Sequence, residues 1–213
     1  MGSIADIRKD YKLKELQEAD AHENAIAQFD LWWKEALNSE IDEVNAMTLA
    51  TASANGVPAA RIVLLKGFDA RGFRFFSNYN SFKGMQLEEN PRACLVLFWK
   101  VLERQVRITG LVEKLGEKES DEYFQSRPAG SRIGALASPQ SEVIESSEWL
   151  INRAAKLKEK YAHAEIPRPP YWGGYLVKPV SIEFWQGRPN RLHDRLLYTL
   201  GEDGKWGIER LAP

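Results

Sequence analysis

The sequence predicts an α+β protein in which helices flank an antiparallel sheet or barrel. Strand candidates in the first half of the chain follow one another through short turns, of which Asn55-Gly56 is the clearest. Two other stretches repeat their apolar residues at helical spacing. Strands and helices do not alternate regularly, and this argues against parallel βαβ units.

The first helix is predicted by a stripe of apolar residues with charged residues between them. Its members are Ile26, Phe29, Trp33, Ala36 and Leu37. From Ala46 onwards the period changes to that of strands. We expect strands near 47–51, 59–65, 73–77, 92–99, 104–115 and 180–185, and a last hairpin that turns at Asp203-Gly204 and ends in 206–211.

The middle of the chain predicts two further helices separated by a loop. Ser120 is a suitable N-cap with acidic residues after it, and Pro128 and Gly130 are expected to end this helix. The segment 131–141 then predicts a loop. The second helix is predicted by its core-facing stripe of Trp149 or Leu150, Ala154, Leu157 and Tyr161. The proline-rich segment 166–174 predicts an ordered loop.

A segment close to the C terminus places several cations beside an indole ring. If the segment is extended, Arg191, His193 and Arg195 share one face. Clustered cations are stable only in open water or facing an anion. With the flat ring of Trp185 just upstream, this pattern indicates a site for a planar, negatively charged small molecule. The alternative is a solvated strand end in which Asp194 is a local counter-ion.

Composition limits the classes of partner. The chain has 213 residues, which suits one domain, and its 29 Lys+Arg against 30 Asp+Glu leave a formal net charge of -1. We therefore expect no nucleic acid partner and no membrane partner. No apolar run is long enough to span a bilayer, and the first 20 residues lack the apolar core of a signal peptide, so we expect a cytoplasmic protein. The single cysteine, Cys94, lies in an apolar run and predicts a packed thiol.

Several catalytic motifs are missing from the sequence. There is no G-x-x-x-x-G-K-[ST], no G-x-G-x-x-G between a strand and a helix, and no G-x-S-x-G. His22, His163 and His193 are scattered and lack partners at metal-ligand spacing, so no metal site is expected. This pattern favours chemistry that is supplied by an organic cofactor.

Seven short segments of the sequence are informative when they are considered together. They are Arg61-Ile-Val-Leu-Leu-Lys66, Leu102-Glu-Arg-Gln105-Val, Phe124-Gln-Ser-Arg127-Pro, Tyr171-Trp-Gly-Gly174, Ile182-Glu-Phe-Trp-Gln-Gly187, Arg191-Leu-His-Asp-Arg195 and Glu209-Arg-Leu-Ala-Pro213. In this order they closely resemble the pyridoxine/pyridoxamine 5′-phosphate oxidase family, over nearly the whole chain from Ile7 to Pro213. One such match is weak, whereas seven in sequence order are highly specific.

The resemblance implies a fold and a reaction. The fold is a single FMN-binding domain over residues 1–213, an antiparallel split β-barrel with flanking helices, an N-terminal arm (about 1–20) and a helical subdomain (about 120–165). The protein would be a homodimer with FMN at the subunit interface. The family oxidises pyridoxine 5′-phosphate or pyridoxamine 5′-phosphate to pyridoxal 5′-phosphate by hydride transfer from the substrate C4′ to the flavin N5. O2 is reduced to hydrogen peroxide, and the amine substrate releases ammonia.

The resemblance also implies roles for individual residues. The implied cofactor-binding set is Arg61, Ile62, Val63, Leu64, Leu65, Lys66, Phe76, Ser77, Lys83, Gln105, Gln140, Ser141, Trp185 and Arg195. Within it, Arg61 and Lys83 resemble ligands of the FMN phosphate. The implied substrate-binding set is Arg8, Tyr11, Lys66, Tyr123, Arg127, Ser131, Arg191 and His193. Arg191 and His193 embrace the pyridine ring and are the expected catalytic pair, and the arm with Arg8 and Tyr11 folds over the active site in some members.

Two details bear on these roles. In a regular strand Arg61 and Lys66 lie on opposite faces, so we expect one to serve the flavin and the other the substrate. The sequence departs from the family at Phe82, where members often carry a basic residue before the lysine that matches Lys83. Phe82 adds no charge, so weaker FMN binding is the expected consequence.

Two rival functions belong to other classes. One is a split-barrel protein that binds flavin or haem without oxidase activity, and the full Arg191–Arg195 segment argues against it because a simple carrier does not need that segment. The other is a barrel that binds single-stranded nucleic acid through Trp and Arg side chains. The net charge of -1 counts against this second rival.

Overall fold

The computed structural model describes residues 3–6 and 10–213, and over these residues it confirms the α+β class. The described helices are α1 (Ala25–Leu37), α2 (Phe82–Glu89), α3 (Glu117–Ser126), α4 (Ala129–Ala137) and α5 (Ser147–Lys160). The described strands are β1 (Ala46–Ala52), β2 (Pro58–Leu64), β3 (Gly67–Asp69), β4 (Gly72–Asn78), β5 (Arg92–Trp99), β6 (Arg104–Lys114), β7 (Trp172–Gln186), β8 (Asp194–Leu200) and β9 (Trp206–Arg210). Arg8, assigned to the arm, lies outside the described residues.

The strands pair in the order β2-β1-β5-β6-β7-β4-β3, and β8 and β9 continue from β7. The β7–β8 pair is antiparallel and sets Trp185 opposite Arg195. Both predicted hairpin turns are confirmed, since Gly56 and Gly204 take the left-handed conformation with φ of 83° and 78°.

The chain divides into two compact units. Unit 1 consists of Met1–Leu49, Cys94–Gly110 and Pro179–Pro213, and unit 2 consists of Ala50–Ala93 and Leu111–Lys178. The expectation of one domain with a helical subdomain stays a prediction.

Unit 1 is organised around the predicted first helix, α1. The side chain of Asn24 caps it by accepting hydrogen bonds from the backbone N–H groups of Ile26 and Ala27, at 2.9 and 3.1 Å. Trp32 on its buried face meets the ring of Phe184 edge to face, with centroids 5.2 Å apart. This aromatic packing holds α1 against β7.

The core of unit 2 joins α3 and α4 to the start of β7. Its buried members are Phe124, Ile133, Ile166 and Trp172, and Ala154, Leu157 and Tyr161 of α5 pack against them. The predicted core-facing stripe is therefore confirmed at Ala154, Leu157 and the helix C-cap Tyr161, each of which is half-buried, whereas its first member, Trp149 or Leu150, stays a prediction.

The predictions for residues 120–141 are wrong in two places. Helix α3 begins at Glu117 with Gly116 as N-cap, so Ser120 lies inside the helix, where its buried hydroxyl accepts a hydrogen bond from the Gly174 N–H at 3.1 Å. Helix α3 does end just before Pro128, at Ser126, as predicted. Gly130 does not help to end it, because Pro128 is also the N-cap of α4, which contains Gly130 and occupies most of the expected loop. A proline at a helix start loses no hydrogen bond, and its fixed φ suits the first turn.

The interpretation of 172–174 as loop is also wrong, because these residues open β7 and pair with β4. A Cβ atom on Gly173 would lie 2.0 Å from the Tyr79 hydroxyl oxygen, and one on Gly174 would lie 2.4 Å from a Leu115 methyl carbon. These glycines serve close packing, although in the sequence they resemble loop residues. Helix α2 and the short strand β3 were not predicted.

Groups that could carry other chemistry are few among the described residues. No helix there is long and apolar enough to cross a membrane. No group of three His, Cys, Asp or Glu side chains in the same residues could hold a metal ion. Cys94 is a free, half-buried thiol, and burial raises its pKa, which lowers its reactivity as a nucleophile.

Candidate active site

A cavity of about 750 Å³ in unit 2 collects most of the predicted cofactor and phosphate ligands. The predicted residues that line it are Arg61, Ile62, Val63, Leu64, Lys66, Phe76, Ser77, Lys83, Tyr123, Arg127, Ser131, Gln140 and Ser141. Leu65 is not among the lining residues, and its side chain is buried. Phe82, Pro128 and Trp172 complete the lining.

The structure brings Arg61 and Lys66 to one cavity, and the expectation that one serves the flavin and the other the substrate stays a prediction. Strand β2 ends at Leu64, so the alternation of side chains does not continue to Lys66. Lys66 instead follows the strand, with its backbone N–H bonded to the Arg74 carbonyl at 2.8 Å, and both cations line the same cavity.

Helix α2 fixes the position of Lys83. Ser81 caps the helix, and its hydroxyl lies 3.1 Å from the Lys83 Nζ. A Cβ atom on Gly84 would lie 2.0 Å from the Tyr79 carbonyl oxygen, so only glycine permits this close approach. The Lys83 Nζ also donates to the Gln140 Oε1 at 3.3 Å. Burial, and then the charge of Arg61, lower the pKa of Lys83 to about 8.

The same helix orients Arg61. The Arg61 Nη1 donates to the Thr51 hydroxyl at 2.6 Å, and that hydroxyl donates to the Gln86 Oε1 of α2, also at 2.6 Å. Burial lowers the pKa of Arg61. Neither Thr51 nor Gln86 was predicted as a site residue. The sequence gives no signal for them, because both act through contacts between distant segments.

Arg127 lines the cavity from the C-cap of α3. Its guanidinium carbon lies 4.6 Å from the centroid of the Trp172 ring. One nitrogen, Nη1, is buried and has no acceptor among the described residues. Burial lowers the pKa of Arg127. An unsatisfied buried donor costs about 1–3 kcal/mol, which an anionic acceptor in the cavity would offset.

The cavity has the chemistry of a phosphate site. Among the described residues four cations line it, namely Arg61, Lys66, Lys83 and Arg127, and no Asp or Glu does. The rings of Phe76 and Tyr123 stack with centroids 3.8 Å apart and give the lining a flat apolar part. The residues present therefore fit a phosphorylated aromatic molecule such as FMN.

In unit 1 three predicted rings contact one another. The centroid of Tyr11 lies 5.6 Å from that of Trp185 and 5.9 Å from that of His193, and the rings of Trp185 and His193 are 4.7 Å apart. A Cβ atom on Gly187 would lie 2.6 Å from the Tyr11 Cγ, so the glycine makes room for this ring. We call this set the Tyr11 cluster.

His193 is a neutral imidazole in this cluster. Its Nδ1 accepts the backbone N–H of Arg188 at 3.1 Å, so the ring proton resides on Nε2. Burial and the charge of Arg191 lower the pKa of His193, and Asp194 opposes them. The lowered pKa favours the neutral ring, in which Nδ1 is the acceptor and Nε2 carries the N–H donor.

The condition under which Arg191, His193 and Arg195 would share one face, an extended segment, is not met at Arg191. Residues Pro189–Arg191 form a 3₁₀ turn, and Asn190 and Arg191 have φ of 56° and 63°. Left-handed backbone at two successive non-glycine residues is strained, which is characteristic of functional sites. Arg191 is exposed. Asp194 is a local counter-ion, as the alternative interpretation expects, but its partners are Arg210 at 2.8 Å and Arg188 at 3.5 Å.

The remaining predicted residues of unit 1 lie on strands. Arg195 on β8 stands opposite Trp185 and donates from Nε to the buried Glu183 carboxylate at 2.8 Å. The same carboxylate accepts a hydrogen bond from Arg107. Gln105 is half-buried on β6. Glu183 was not predicted, although a carboxylate beside two apolar residues in the strand 180–185 is a recognisable signal.

Comparison with known proteins decides the family. The model described as Pyridoxamine 5'-phosphate oxidase matches residues 33–161, which is more than half of the chain. The chain belongs to the pyridoxine/pyridoxamine 5′-phosphate oxidase family. It is thus an oxidoreductase. A second model, described as Pyridoxine 5'-phosphate oxidase C-terminal dimerisation region, matches residues 172–213.

Individual members of this oxidase family are similar over the whole chain. The pyridoxine/pyridoxamine 5'-phosphate oxidase of Gloeothece citriformis (strain PCC 7424) is 58% identical over 211 residues, which cover 99% of each chain. The crystal structure of PhzG from Burkholderia lata 383, in complex with tetrahydrophenazine-1-carboxylic acid, has a TM-score of 0.89 at 30% identity and covers 95% of this chain and 100% of its own.

A more distant structure confirms the expected fold. The pyridoxamine 5'-phosphate oxidase-related, FMN binding protein from Nostoc punctiforme PCC 73102 has a TM-score of 0.71 at 20% identity. The match covers 89% of this chain and 98% of that one. At this identity the likeness concerns the fold alone, and it supports the split β-barrel class.

Proposed function

We propose that the chain oxidises pyridoxine 5′-phosphate or pyridoxamine 5′-phosphate to pyridoxal 5′-phosphate with FMN as cofactor. The observation that carries the proposal is the cavity of unit 2, where the described part of the chain contributes four cations and no carboxylate around about 750 Å³. A phosphate monoester needs such surroundings, because charge-assisted hydrogen bonds contribute about 1.5–3 kcal/mol each.

The phosphate of FMN is held by Arg61 and Lys83 in this proposal. Ser77 and Gln140 already lie within hydrogen-bond distance of each other, at 3.4 Å, and Gln140 contacts Lys83. They would orient the ammonium toward the phosphate together with Ser141. The chemistry that FMN supplies when bound is acceptance of a hydride at N5 from the substrate C4′ and reduction of O2 to hydrogen peroxide.

The phosphate of the substrate is held by Lys66, Tyr123, Arg127 and Ser131. Arg127 has a buried nitrogen, Nη1, without an acceptor among the described residues. A bound anion would offset the free-energy cost of this unsatisfied donor. Lys66 is exposed, two residues beyond the end of β2, and can close on the anion without the desolvation that Lys83 undergoes. A substrate without phosphate would lose these contacts and would bind weakly.

The Tyr11 cluster, together with Gln105, Arg191 and Arg195 of the same unit, supplies the groups that orient the two rings. Trp185, Gln105 and Arg195 hold the flavin ring and its side chain. His193 donates its Nε2–H to a substituent of the pyridine ring, and Arg191 covers the outer face of the substrate. Tyr11 packs against Trp185 and His193 and excludes water from them.

The proposed assembly is a homodimer with FMN at the subunit interface. The match of residues 172–213 to a dimerisation region supports it. In such a dimer one subunit's cavity and the other's Tyr11 cluster can serve the same flavin, so one chain carries residues for two sites. Light scattering of the FMN-loaded protein measures the subunit number directly.

The proposal is tested with purified protein loaded with FMN. In air, pyridoxine 5′-phosphate should yield pyridoxal 5′-phosphate and hydrogen peroxide in equal amounts, and pyridoxamine 5′-phosphate should also release ammonia. A preparation that binds flavin but forms no peroxide with either compound supports the rival flavin carrier. A colourless preparation that does not bind added FMN contradicts the proposal altogether.

A non-phosphorylated substrate is a useful comparison, because the crystal structure of PhzG holds tetrahydrophenazine-1-carboxylic acid. That compound carries a carboxylate and no phosphate. The four cations of the present cavity favour the phosphorylated compounds. Faster turnover of a tetrahydrophenazine carboxylate than of pyridoxine 5′-phosphate would assign the chain to the other substrate class.

A further inference from the structure

A second cavity of unit 2 has no role in the proposed reaction. Its volume is about 840 Å³, and none of the residues assigned to FMN or to the substrate lines it. One wall is a face of α5, and the other is the proline-rich segment 167–171. The volume lies within the range of roughly 300–1,000 Å³ that small-molecule sites occupy. We call this cavity the α5 cleft.

The α5 side of the cleft carries one aromatic ring followed by a row of cations. Trp149, Arg153, Lys156 and Lys160 all line it, at intervals of four, three and four residues, so they share one helix face. With a rise of 1.5 Å per residue, the three cations span roughly 10 Å of helix, and the indole precedes them by roughly 6 Å. The face is therefore polarised, with a flat ring at one end and positive charge extending from it.

These cations are not neutralised within the cleft. No Asp or Glu lines it, and in the described part of the chain Arg153, Lys156 and Lys160 have no carboxylate partner. Arg153 and Lys160 instead lie over aromatic rings, 5.3 Å from Trp149 and 5.2 Å from Tyr161. Such a row is most stable when an anion with several charges lies along it.

A fourth cation of the cleft, Arg168, already has hydrogen-bond acceptors within the protein. Its Nε donates to Asp121 at 2.5 Å and its Nη1 donates to the Trp172 carbonyl at 2.7 Å. Arg168 therefore stiffens the proline-rich wall and leaves the binding of anions to α5.

The opposite wall offers apolar surface for a ring. Pro167 and Pro170 are exposed, and Tyr171 is half-buried with its hydroxyl 3.4 Å from the Leu136 carbonyl. Asn152, which is exposed on the α5 side, adds an amide that can donate to and accept from the heteroatoms of a ring.

We propose that the α5 cleft binds a nucleoside di- or triphosphate, with the base between Trp149 and the proline-rich wall and the phosphates along Arg153, Lys156 and Lys160. A lone phosphate ion is too compact to use the whole row. An acidic peptide places carboxylates on alternate residues, roughly 6.6–6.8 Å apart, and has no ring that must lie at one end. Only a ring with a linear polyanionic tail uses every feature, and this inference does not depend on the proposed oxidase reaction.

The test is calorimetric titration of the FMN-loaded full chain with ATP, ADP, AMP, adenosine and inorganic tripolyphosphate. Each phosphate added to the nucleoside should tighten binding by roughly threefold to tenfold, because each adds one charge pair. Adenosine and tripolyphosphate should each bind at least tenfold more weakly than ATP. Tripolyphosphate that equals ATP, or no saturable binding of ATP, overturns the proposal.

Matched variants locate the site. The double variant K156Q/K160Q should bind ATP at least tenfold more weakly. The control K118Q/K178Q removes the same charge from two exposed lysines outside the cleft and should stay within about twofold of the parent. None of the four lysines is assigned to FMN or substrate, so oxidase activity reports on folding in both variants. Equal losses in the two double variants would show binding to net charge alone and would refute the site.

Discussion

The Arg195 guanidinium and the Glu183 carboxylate form a pair across β7 and β8, with Nε 2.8 Å from Oε1. The Glu183 carboxylate is buried, whereas the Arg195 side chain is partly exposed. The carboxylate is therefore the fixed partner, and it orients the Arg195 guanidinium. Because Arg107 binds the other carboxylate oxygen, Glu183 has no freedom to follow a displaced Arg195. The direction of one proposed flavin ligand is thus set by a residue that is not itself a proposed ligand.

Replacement of Glu183 by glutamine should loosen this arrangement without creating a cavity. We expect E183Q to bind FMN roughly tenfold more weakly, because Arg195 loses its fixed direction. Quenching of flavin fluorescence measures the affinity. The control is E209Q, which removes an exposed carboxylate from the neighbouring strand β9 and should leave FMN affinity unchanged. An E183Q variant that binds FMN with the parental affinity would show that Glu183 does not orient Arg195 for FMN binding.

The low pKa of Lys83 predicts a pH dependence of FMN binding. In the free cavity this pKa is about 8, and a bound phosphate raises it because an anion favours the ammonium. Below that pH Lys83 is already charged, so affinity is flat. Above it, binding must take up a proton, and the affinity should fall by up to roughly tenfold per pH unit.

Fluorescence titrations of FMN between about pH 6.5 and about pH 9.5 measure this slope directly. The K83Q variant is the control: it should bind more weakly throughout and should lack the slope assigned to Lys83. A flat profile in the parent, or the same slope in both proteins, would show that Lys83 does not hold the phosphate.

The position of Phe82 predicts that a cationic side chain there would strengthen FMN binding. Phe82 lines the cavity as the first residue of α2, and its side chain is about half exposed. The variant F82R should bind FMN roughly fivefold more tightly, since one further cation reaches the phosphate from a solvated position. Met85 on the same helix is equally exposed and does not line the cavity, so M85R is the matched control. Equal effects of the two variants would indicate a general effect of charge.

The contact between Gly187 and Tyr11 predicts a selective loss of turnover. An alanine Cβ at 187 would meet the Tyr11 ring at 2.6 Å, so the ring must leave His193. We expect G187A to lower kcat/KM roughly tenfold and to keep FMN affinity within about twofold. The control is G134A, where nothing lies within 4 Å of the added carbon. Turnover of G187A at the parental rate would show that Tyr11 does not serve catalysis.

Sequence patterns predict well the features that depend on neighbouring residues. The stripe from Ile26 to Leu37 gives α1 almost to the residue, and the two glycine turns give both hairpins. The family's residues around Arg61, Lys83 and Arg127 converge on one cavity, as the resemblance implies. Local periodicity and a specific motif order carried these predictions.

The errors have a different physical origin. Ser120 has the side chain of a helix cap but satisfies a strand N–H from inside α3. Gly173 and Gly174 are small because neighbouring side chains press on them. The strained turn at Asn190 and Arg191 contradicts the preference of both residues for negative φ. In each case a tertiary contact overrides a local conformational preference, and such a contact cannot be predicted from a single sequence.

The central claim is that the cavity around Arg127 recognises a phosphate. The most direct measurement is kcat/KM for pyridoxine 5′-phosphate and for pyridoxine, in the parent and in R127Q. We predict a preference of at least about a hundredfold for the phosphorylated compound in the parent, and a loss of roughly tenfold in R127Q that appears mostly in KM and spares pyridoxine. A parent enzyme that oxidises both compounds equally well would contradict the account.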